Sequence, residues 1–459
     1  MVEILFGKVP FDIQGVLYRN GPGLFRRSNS RVGHFFDGDG RVDRIRISKG
    51  TVTPLSKFVE TEHFVVEQEL DTFMYRGAFG STYRKSHAFE MKNPSNTSVV
   101  FRSSPGAPLL SMWEGGAPYE LCPQTLTTRG ISAAFGASPR RNVFSTGLKS
   151  IDDAFQLGGW GVGAHPVQYN KRTTFLLTQI SMGHTTLKFH TTDDATNTTV
   201  DELSVRLNGF THVHSFGETD RYFCFVATPF SFHVGDFLFQ NKGVQSCVTH
   251  NHTQRSSMVF IDKATRKVKT IAMFPFYATH FLNAFEDDSG TVTVKCTGCT
   301  RLTMEDVPNL GFYVFTFDVS NGFMQSYQRV YGHLSEFPVM SQGLVGKNNR
   351  YSFFASASSK YSALNMYTRH DAIRHTVDHI DMSSHLKKNL KTEEIFHLEP
   401  VLACGDVSHT EYLLGSHLCR RGPLLSFTDA VTLQTVCVLL LRGVNPFPLH
   451  STWAPSRET

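Results

Sequence analysis

Four histidines stand beside strand-like segments in contexts where an imidazole could bind a metal. They are His165 in Gly163-Ala164-His165-Pro166, His214 in Thr211-His212-Val213-His214-Ser215-Phe216, His280 in Ala278-Thr279-His280-Phe281-Leu282-Asn283, and His450 in Pro446-Phe447-Pro448-Leu449-His450. Neutral imidazole nitrogens suit iron, copper, nickel and zinc. The chain has 21 histidines, so any single one is more often a surface or hydrogen-bonded core residue. The four lie far apart in the chain, which excludes a local H-x-x-x-H site on one helix; they would have to converge from different elements. Other metal chemistry has less support. Of eight cysteines only Cys296 and Cys299 form a C-x-x-C, with no further pair at zinc-site spacing, so the thiols read as buried or reduced. Asp37-Gly38-Asp39-Gly40 lacks the distal glutamate of a calcium loop and reads as a tight hairpin turn.

The elements that must position these histidines are strands. Glycine (36) and proline (19) punctuate the chain at short intervals, between runs such as Arg44-Ile45-Arg46-Ile47, Tyr222-Phe223-Cys224-Phe225-Val226, Thr291-Val292-Thr293-Val294 and residues 311–317. Asp287-Asp288-Ser289-Gly290 has the composition of a turn between two of them. No linker of biased composition divides the 459 residues, so residues 1–459 are read as one all-β domain. At this length, that pattern points to a propeller of four-stranded blades around an axis, although no sequence motif repeats at a fixed period.

Composition narrows the partners. Hydrophobic residues make up 40% and charged residues 19%, which suits a globular chain, and a net charge of +5 is too small to indicate nucleic acid. The polar stretch 368–392 mixes Asp, Lys and four histidines and reads as a solvated loop or helix. The N-terminus lacks a secretory pattern, and the aliphatic run 436–441 is far shorter than the ~20 residues of a membrane span, so a cytoplasmic protein is expected. The N-x-S/T triplets at Asn96, Asn197 and Asn251 are accordingly expected to carry no sugar.

Along nearly its whole length the sequence resembles the carotenoid cleavage oxygenase family. The matching segments, in family order, begin with Gly15-Val16-Leu17-Tyr18-Arg19-Asn20-Gly21-Pro22-Gly23 and His34-Phe35-Phe36-Asp37-Gly38-Asp39-Gly40. They continue through Tyr75-Arg76-Gly77, Asn96-Thr97, Trp113-Glu114-Gly115-Gly116, Thr125-Leu126, Ala164-His165-Pro166, His214-Ser215-Phe216, residues 280–286 and Glu336-Phe337-Pro338. The C-terminal Pro446-Phe447-Pro448-Leu449-His450-Ser451-Thr452-Trp453 looks most like the apocarotenoid branch. The resemblance implies a seven-bladed β-propeller with a helical and loop cap over an axial Fe(2+) held by His165, His214, His280 and His450. It also implies three carboxylates that orient ligand rings: Glu114 for His214, Glu336 for His280 and Glu399, in Leu398-Glu399-Pro400, for His450. Thr97 matches a position near the vacant iron site in relatives, and a buried strand threonine is an equally good reading. His212 shares a strand with His214, but the family pattern puts the ligand directly before Ser215-Phe216. Cys122 stands where relatives have Asp or Asn, as a turn residue between strands.

The family chemistry is oxidative cleavage of a conjugated C=C bond by O2. With 39 phenylalanines the chain can line an apolar tunnel for a polyene, although core packing claims most of them. Stilbene-cleaving relatives carry a lysine where this chain has Trp113, so an apolar carotenoid or apocarotenoid is the expected substrate. A stilbene-cleaving enzyme and a non-oxidative, retinoid isomerohydrolase-like enzyme are the alternatives; Val213-His214-Ser215-Phe216-Gly217 is close to the latter branch. A metal-free scaffold is disfavoured because all four histidines are present. Residues 81–91 are short and polar where relatives carry a hydrophobic helical insert, so at most weak peripheral membrane contact is expected. Nothing in the sequence speaks to oligomeric state.

Overall fold

The computed structural model describes residues 1–80, 91–135, 160–181, 183–233, 235–236, 243–302, 309–380, 394–405 and 410–456. Seven antiparallel sheets of four to six strands form the blades of a β-propeller. Blade one consists of His450–Pro455, Gly15–Leu24, Asp39–Ser48 and Thr51–Phe58. Blade two runs Ser98–Val100, Leu109–Met112, Tyr119–Leu121 and Thr128–Ile131. Blade three opens with the interrupted strand Gly161–Val162 and Val167–Tyr169, both paired to Arg172–Ser181, and continues with His184–Asp193 and Thr199–Asn208. Blade four opens with Gly217–Glu218, blade five with Tyr277–Glu286 and blade six with Ser335–Val339. Blade seven opens with Phe396–His397 and Val401–Cys404, both paired to Glu411–Cys419.

Both chain ends close the ring. The C-terminal strand His450–Pro455 becomes the first strand of blade one, where His450 pairs with Asn20 and Pro455 with Gly15. The N-terminal strand Val2–Gly7 adds to Thr435–Leu441 at the outside of blade seven. Closure leaves no open sheet edge between first and last blades, the usual hazard of long β architectures. The alternating residues read as strands bury one face in cores shared by neighbouring blades. Cys224, Phe260, Val292 and Phe315 pack between blades four and five, and Ile45, Leu414, Phe427 and Leu439 between blades seven and one. Phe312 stacks on Phe354 across blades five and six at 4.9 Å between ring centroids. Most of the phenylalanines in these strands are therefore spent on holding blades together. Asn96 is consumed in the same way: it is buried, and its amide donates to the carbonyls of Phe36 and Gly38.

Two sequence readings need correction. The Asp37–Asp39 segment is not a hairpin turn but a short 3-10 turn, Phe35–Asp37, leading into Asp39–Ser48. Its carboxylates face inward. Asp37 accepts from the backbone of Phe79 and Gly80, and Asp39 pairs with Lys92 at 2.5 Å. Lys92 also pairs with Glu67 at 2.6 Å, which ties this turn to the helix Glu62–Glu69. Nor is the start of the polar stretch 368–392 a solvated loop or helix: Met366–Asp371 and Thr376–Ile380 are the outer strands of blade six, and 381–392 fall outside the described residues. Tyr367, Thr368, His370 and Asp371 are all buried, so this strand lacks the period-2 alternation that would mark it in the sequence.

The α-helix Glu62–Glu69 follows blade one, with Thr61 accepting from the Phe64 amide at its start. The polar segment read as lacking a membrane insert, 81–91, lies outside the described residues except for Met91. Among the described residues no helix is long and apolar enough to cross a membrane.

Candidate metal centre

Four blades each bring one histidine to a common point, from their first strand or the segment that interrupts or precedes it. His165 sits in the interruption of blade three's first strand, where Gly163 N donates to Leu176 O at 2.7 Å and turns the chain aside. His214 precedes Gly217–Glu218, His280 lies within Tyr277–Glu286, and His450 begins His450–Pro455. The His165 ring lies 4.4 Å from that of His214, 4.7 Å from His280 and 4.4 Å from His450. A regular strand would not aim these side chains together. The strand register shifts across His280, between Ala278 and Phe281, and again between Phe281 and Asn283, and bulges of this kind redirect side chains near functional sites.

The remaining three blades contribute one carboxylate each. Glu336, in the first strand of blade six, accepts from His280 Nδ1 at 2.6 Å, and Glu399, in the interruption of blade seven, accepts from His450 Nδ1 at 2.9 Å. Glu114 of blade two places Oε2 2.7 Å from His214 Nδ1. His165 is the histidine of the four without a carboxylate partner. Backbone amides hold two of the carboxylates: Phe337 N donates to Glu336 Oε2, the oxygen that also meets His280, and Ser451 N donates to the free oxygen of Glu399, Oε2, each at 2.5 Å. Phe337 reaches this contact with φ at +57°, a left-handed conformation costly for a bulky residue, and the strand register shifts between Glu336 and Val339.

Electrostatics follow this pairing. Burial presses the Glu336 carboxyl upward, but the His280 imidazole beside it and its hydrogen bonds prevail and hold it down at about 2. The same balance between burial and His214 leaves Glu114 below the usual carboxylate range. Burial and then the three neighbouring imidazoles push His165 well below an ordinary histidine. Burial likewise lowers His280 despite Glu336, whereas Glu114 outweighs burial at His214 and raises it.

These contacts test whether the donor set fits a metal. With Nδ1–H directed at a carboxylate, a neutral imidazole presents a bare lone pair on Nε2. The Nε2 atoms of His214 and His280 lie 3.3 Å apart, so a positive charge must be shared between them, either a proton on one ring or a cation bound by both. A proton there would still leave the buried Nε2 of His165 without any hydrogen-bond partner. One cation at the meeting point satisfies both, and the ligand atoms of His165, His280 and His450 lie within 4.8 Å of one another. The residues fit a metal ion bound by four imidazoles.

The other residues singled out from sequence separate clearly. His212 also approaches Glu114, at 3.9 Å, but its Nδ1 is engaged by Tyr277 Oη at 3.1 Å and its ring is 6.2 Å from that of His214. It stands outside the cluster. Thr97 immediately precedes the first strand of blade two, with its hydroxyl 3.4 Å from Asn96 Oδ1 and half-buried. Cys122 occupies the turn after Tyr119–Leu121, where Leu126 N donates to its carbonyl. Trp113 is 6% exposed beside Glu114, and a Cβ on Gly116 would stand 2.7 Å from its ring, so glycine is needed there for close packing. All eight cysteines are free.

Two participants escaped the sequence reading. Thr297, in the second strand of blade five, donates to Glu336 Oε1 at 3.3 Å and accepts from His280 N at 3.3 Å, so one hydroxyl touches both members of the pair. Ser215 Oγ accepts from Phe281 N at 3.0 Å and links the segments carrying His214 and His280. Strand alternation could give the face on which Thr297 lies, but not its partner in another blade.

The sequence family described as Retinal pigment epithelial membrane protein matches residues 1–455. Over 99% of this chain and 93% of the relative, the sequence is 27% identical to apocarotenoid-15,15'-oxygenase of Synechocystis sp.. It is 30% identical to resveratrol cleavage oxygenase 1 of Aspergillus fumigatus, over 29% of this chain and 26% of that protein. The structure of cobalt-substituted Synechocystis apocarotenoid oxygenase superposes on 99% of this chain and 95% of its own, with a TM-score of 0.83 at 24% identity, and shares the fold.

Proposed function

The chain belongs to the Retinal pigment epithelial membrane protein family, and from that premise we propose that it is an iron(II)-dependent dioxygenase cleaving one conjugated C=C bond of a carotenoid or apocarotenoid. The observation that carries the metal reading is the facing pair of Nε2 atoms on His214 and His280, 3.3 Å apart, beside the unpartnered Nε2 of His165. In this reading His165, His214, His280 and His450 hold the ion. Bound iron(II) supplies activation of O2, whose two atoms end in the two carbonyl products. Four neutral imidazoles bring no negative charge to the metal, unlike a site with a carboxylate ligand. Glu114, Glu336 and Glu399 keep the Nδ1 protons and so aim each Nε2 lone pair inward.

The surroundings favour an apolar substrate. Phe337 packs 5.9 Å from the His280 ring and 5.6 Å from His450, which keeps one side of the cluster dry. Trp113 offers beside Glu114 an apolar ring with a single N–H donor, a poor partner for a phenolate oxygen. In the proposed enzyme Thr97 borders the open side of the ion, where its methyl limits what can approach. The substrate is an apolar polyene taken with O2, and any contact with a membrane is peripheral.

Incubation of iron-loaded protein with an apocarotenal under 18O2 tests the assignment. Oxygen consumption and early label in both carbonyl products are expected, with little turnover of a hydroxystilbene. Isomerised or hydrolysed product without oxygen uptake would establish isomerohydrolase chemistry instead, and rapid stilbene cleavage would overturn the reading of Trp113.

The orienting carboxylates make a separate prediction. Glu336→Gln and Glu399→Gln should fold normally yet bind iron ~10–100-fold more weakly, the usual effect of losing such a partner. Competition with a chelator measures this, and unchanged affinity in Glu399→Gln would remove Glu399 from the site.

A further inference from the structure

A cavity of about 500 Å³ opens between blades one and two, remote from the histidines. Its walls come from the Gly15 end of Gly15–Leu24, the Ser48 end of Asp39–Ser48 and the loops at 101–107 and 123–124. Gly15 pairs with Pro455 whereas Asn20 pairs with His450, so roughly 17 Å of strand, at ~3.3–3.4 Å per residue, separates the cavity from the metal end.

Arg44, Arg46, Arg102 and Arg129 line this cavity, and no carboxylate does. Arg102 is 4% exposed and Arg44 half-buried, and the Nε of each is buried without a hydrogen-bond partner. Arg46 and Arg129 stand exposed at the rim. Several other arginines, including buried ones, are ion-paired: Arg19 with Asp43, Arg27 with Asp39, Arg350 with Asp371 and Arg369 with Asp378. Among the described residues none of the four at the cavity forms an ion pair. Arg102 donates to Asn197 Oδ1 and lies in the field of Asp194 and Glu120. Those carboxylates are themselves engaged by the hydroxyls of Thr173 and Ser132, at 2.5 and 2.7 Å. Asp194 and Glu120 offset part of the charge behind Arg102, but no carboxylate faces the cavity itself, so an anion with several acceptor oxygens relieves the repulsion left among the four guanidinium groups. Tyr18 and Phe101, stacked at 5.9 Å between centroids, also line the cavity and add an aromatic wall.

We propose that this cavity binds a phosphate group on a small organic body. The phosphate is held by Arg44 and Arg102, steered in by Arg46 and Arg129, and the body rests against Phe101. Guanidinium forks match phosphate oxygens bidentately, and a dianion balances more of the cluster than a carboxylate can. The phosphate could belong to a soluble metabolite or to a lipid headgroup, and the test has an arm for each.

Iron-loaded full-length protein is titrated calorimetrically with inorganic phosphate and with AMP, against chloride at equal ionic strength, and is floated with phosphatidylcholine vesicles with and without phosphatidate. Saturable binding of a soluble probe, or capture that depends on phosphatidate, is expected, and whichever arm responds identifies the source. In Arg44→Gln the affinity should fall about tenfold, as for loss of a charge-assisted hydrogen bond, with iron content unchanged. The rim double variant Arg46→Gln/Arg129→Gln, which alters exposed side chains only, should show a comparable loss and decides the matter if Arg44→Gln does not fold. Binding no stronger than that of chloride in both arms, or binding unaltered in the rim variant, overturns the proposal.

Discussion

His165→Ala is expected to leave the purified protein almost free of iron and without measurable cleavage activity. His165 meets the other three rings at 4.4, 4.7 and 4.4 Å, so its removal opens one side of the cluster. No neighbouring donor can replace it: His212 is engaged by Tyr277, and Glu114 is set against His214. Losing a direct ligand should therefore cost more than the ~10–100-fold expected for an orienting carboxylate. The unbound protein should also melt lower than the iron-loaded wild type, because a metal that binds only the folded state stabilises it by mass action. Metal analysis, oxygen uptake and thermal unfolding read the three effects. Full iron content with wild-type turnover in His165→Ala would eliminate the four-imidazole site.

Asp43→Ala is expected to destabilise the fold by about 3–5 kcal/mol, the cost of leaving a buried charge without its partner. Asp43 and Arg19 are both fully buried and pair at 2.7 Å between adjacent strands of blade one. Arg19 Nη1 continues to Ser416 Oγ of blade seven at 3.2 Å, and Asp43 Oδ1 accepts from Asn445 N at 2.9 Å. Asn445 in turn donates to the carbonyls of Gly21 and Arg41, and Leu449 N donates to Asn20 O at 2.7 Å. This network fastens the segment leading to His450 where the ring closes. Against a total stability of ~5–15 kcal/mol, the loss should show as a large fall in the denaturant midpoint, accompanied by reduced iron retention. Ser416→Ala, which removes one hydrogen bond to the same arginine, should cost only about 1 kcal/mol. Equal effects of the two substitutions would place the stabilisation outside the ion pair.

Much of the architecture was legible because the interactions that specify strands are local. Alternation in Arg44-Ile45-Arg46-Ile47 and the turn composition of Asp287-Asp288-Ser289-Gly290 each reflect a free-energy preference set within a few residues, and both segments fold as read. The motifs around His165, His214, His280 and His450 were likewise visible as residue types, and the family resemblance implied Glu114, Glu336 and Glu399 as carboxylate partners of the last three. Tertiary structure decided where those groups meet. His280 and Glu336 face each other because bulges and a left-handed Phe337 turn their side chains, and such irregularities are stabilised only by contacts with neighbouring blades. His212 and His214 would be equivalent on a regular strand, but residues 211–216 form none: the His214 ring comes within 4.4 Å of that of His165, whereas His212 is engaged by the Tyr277 hydroxyl. The arginine-lined cavity was invisible in the sequence, since Arg44 and Arg46 were read as strand residues while Arg102 and Arg129 come from another blade. Local sequence sets period and chemistry, but convergence depends on pairings such as His450 with Asn20, between opposite ends of the chain, whose free energy exists only once the ring has closed.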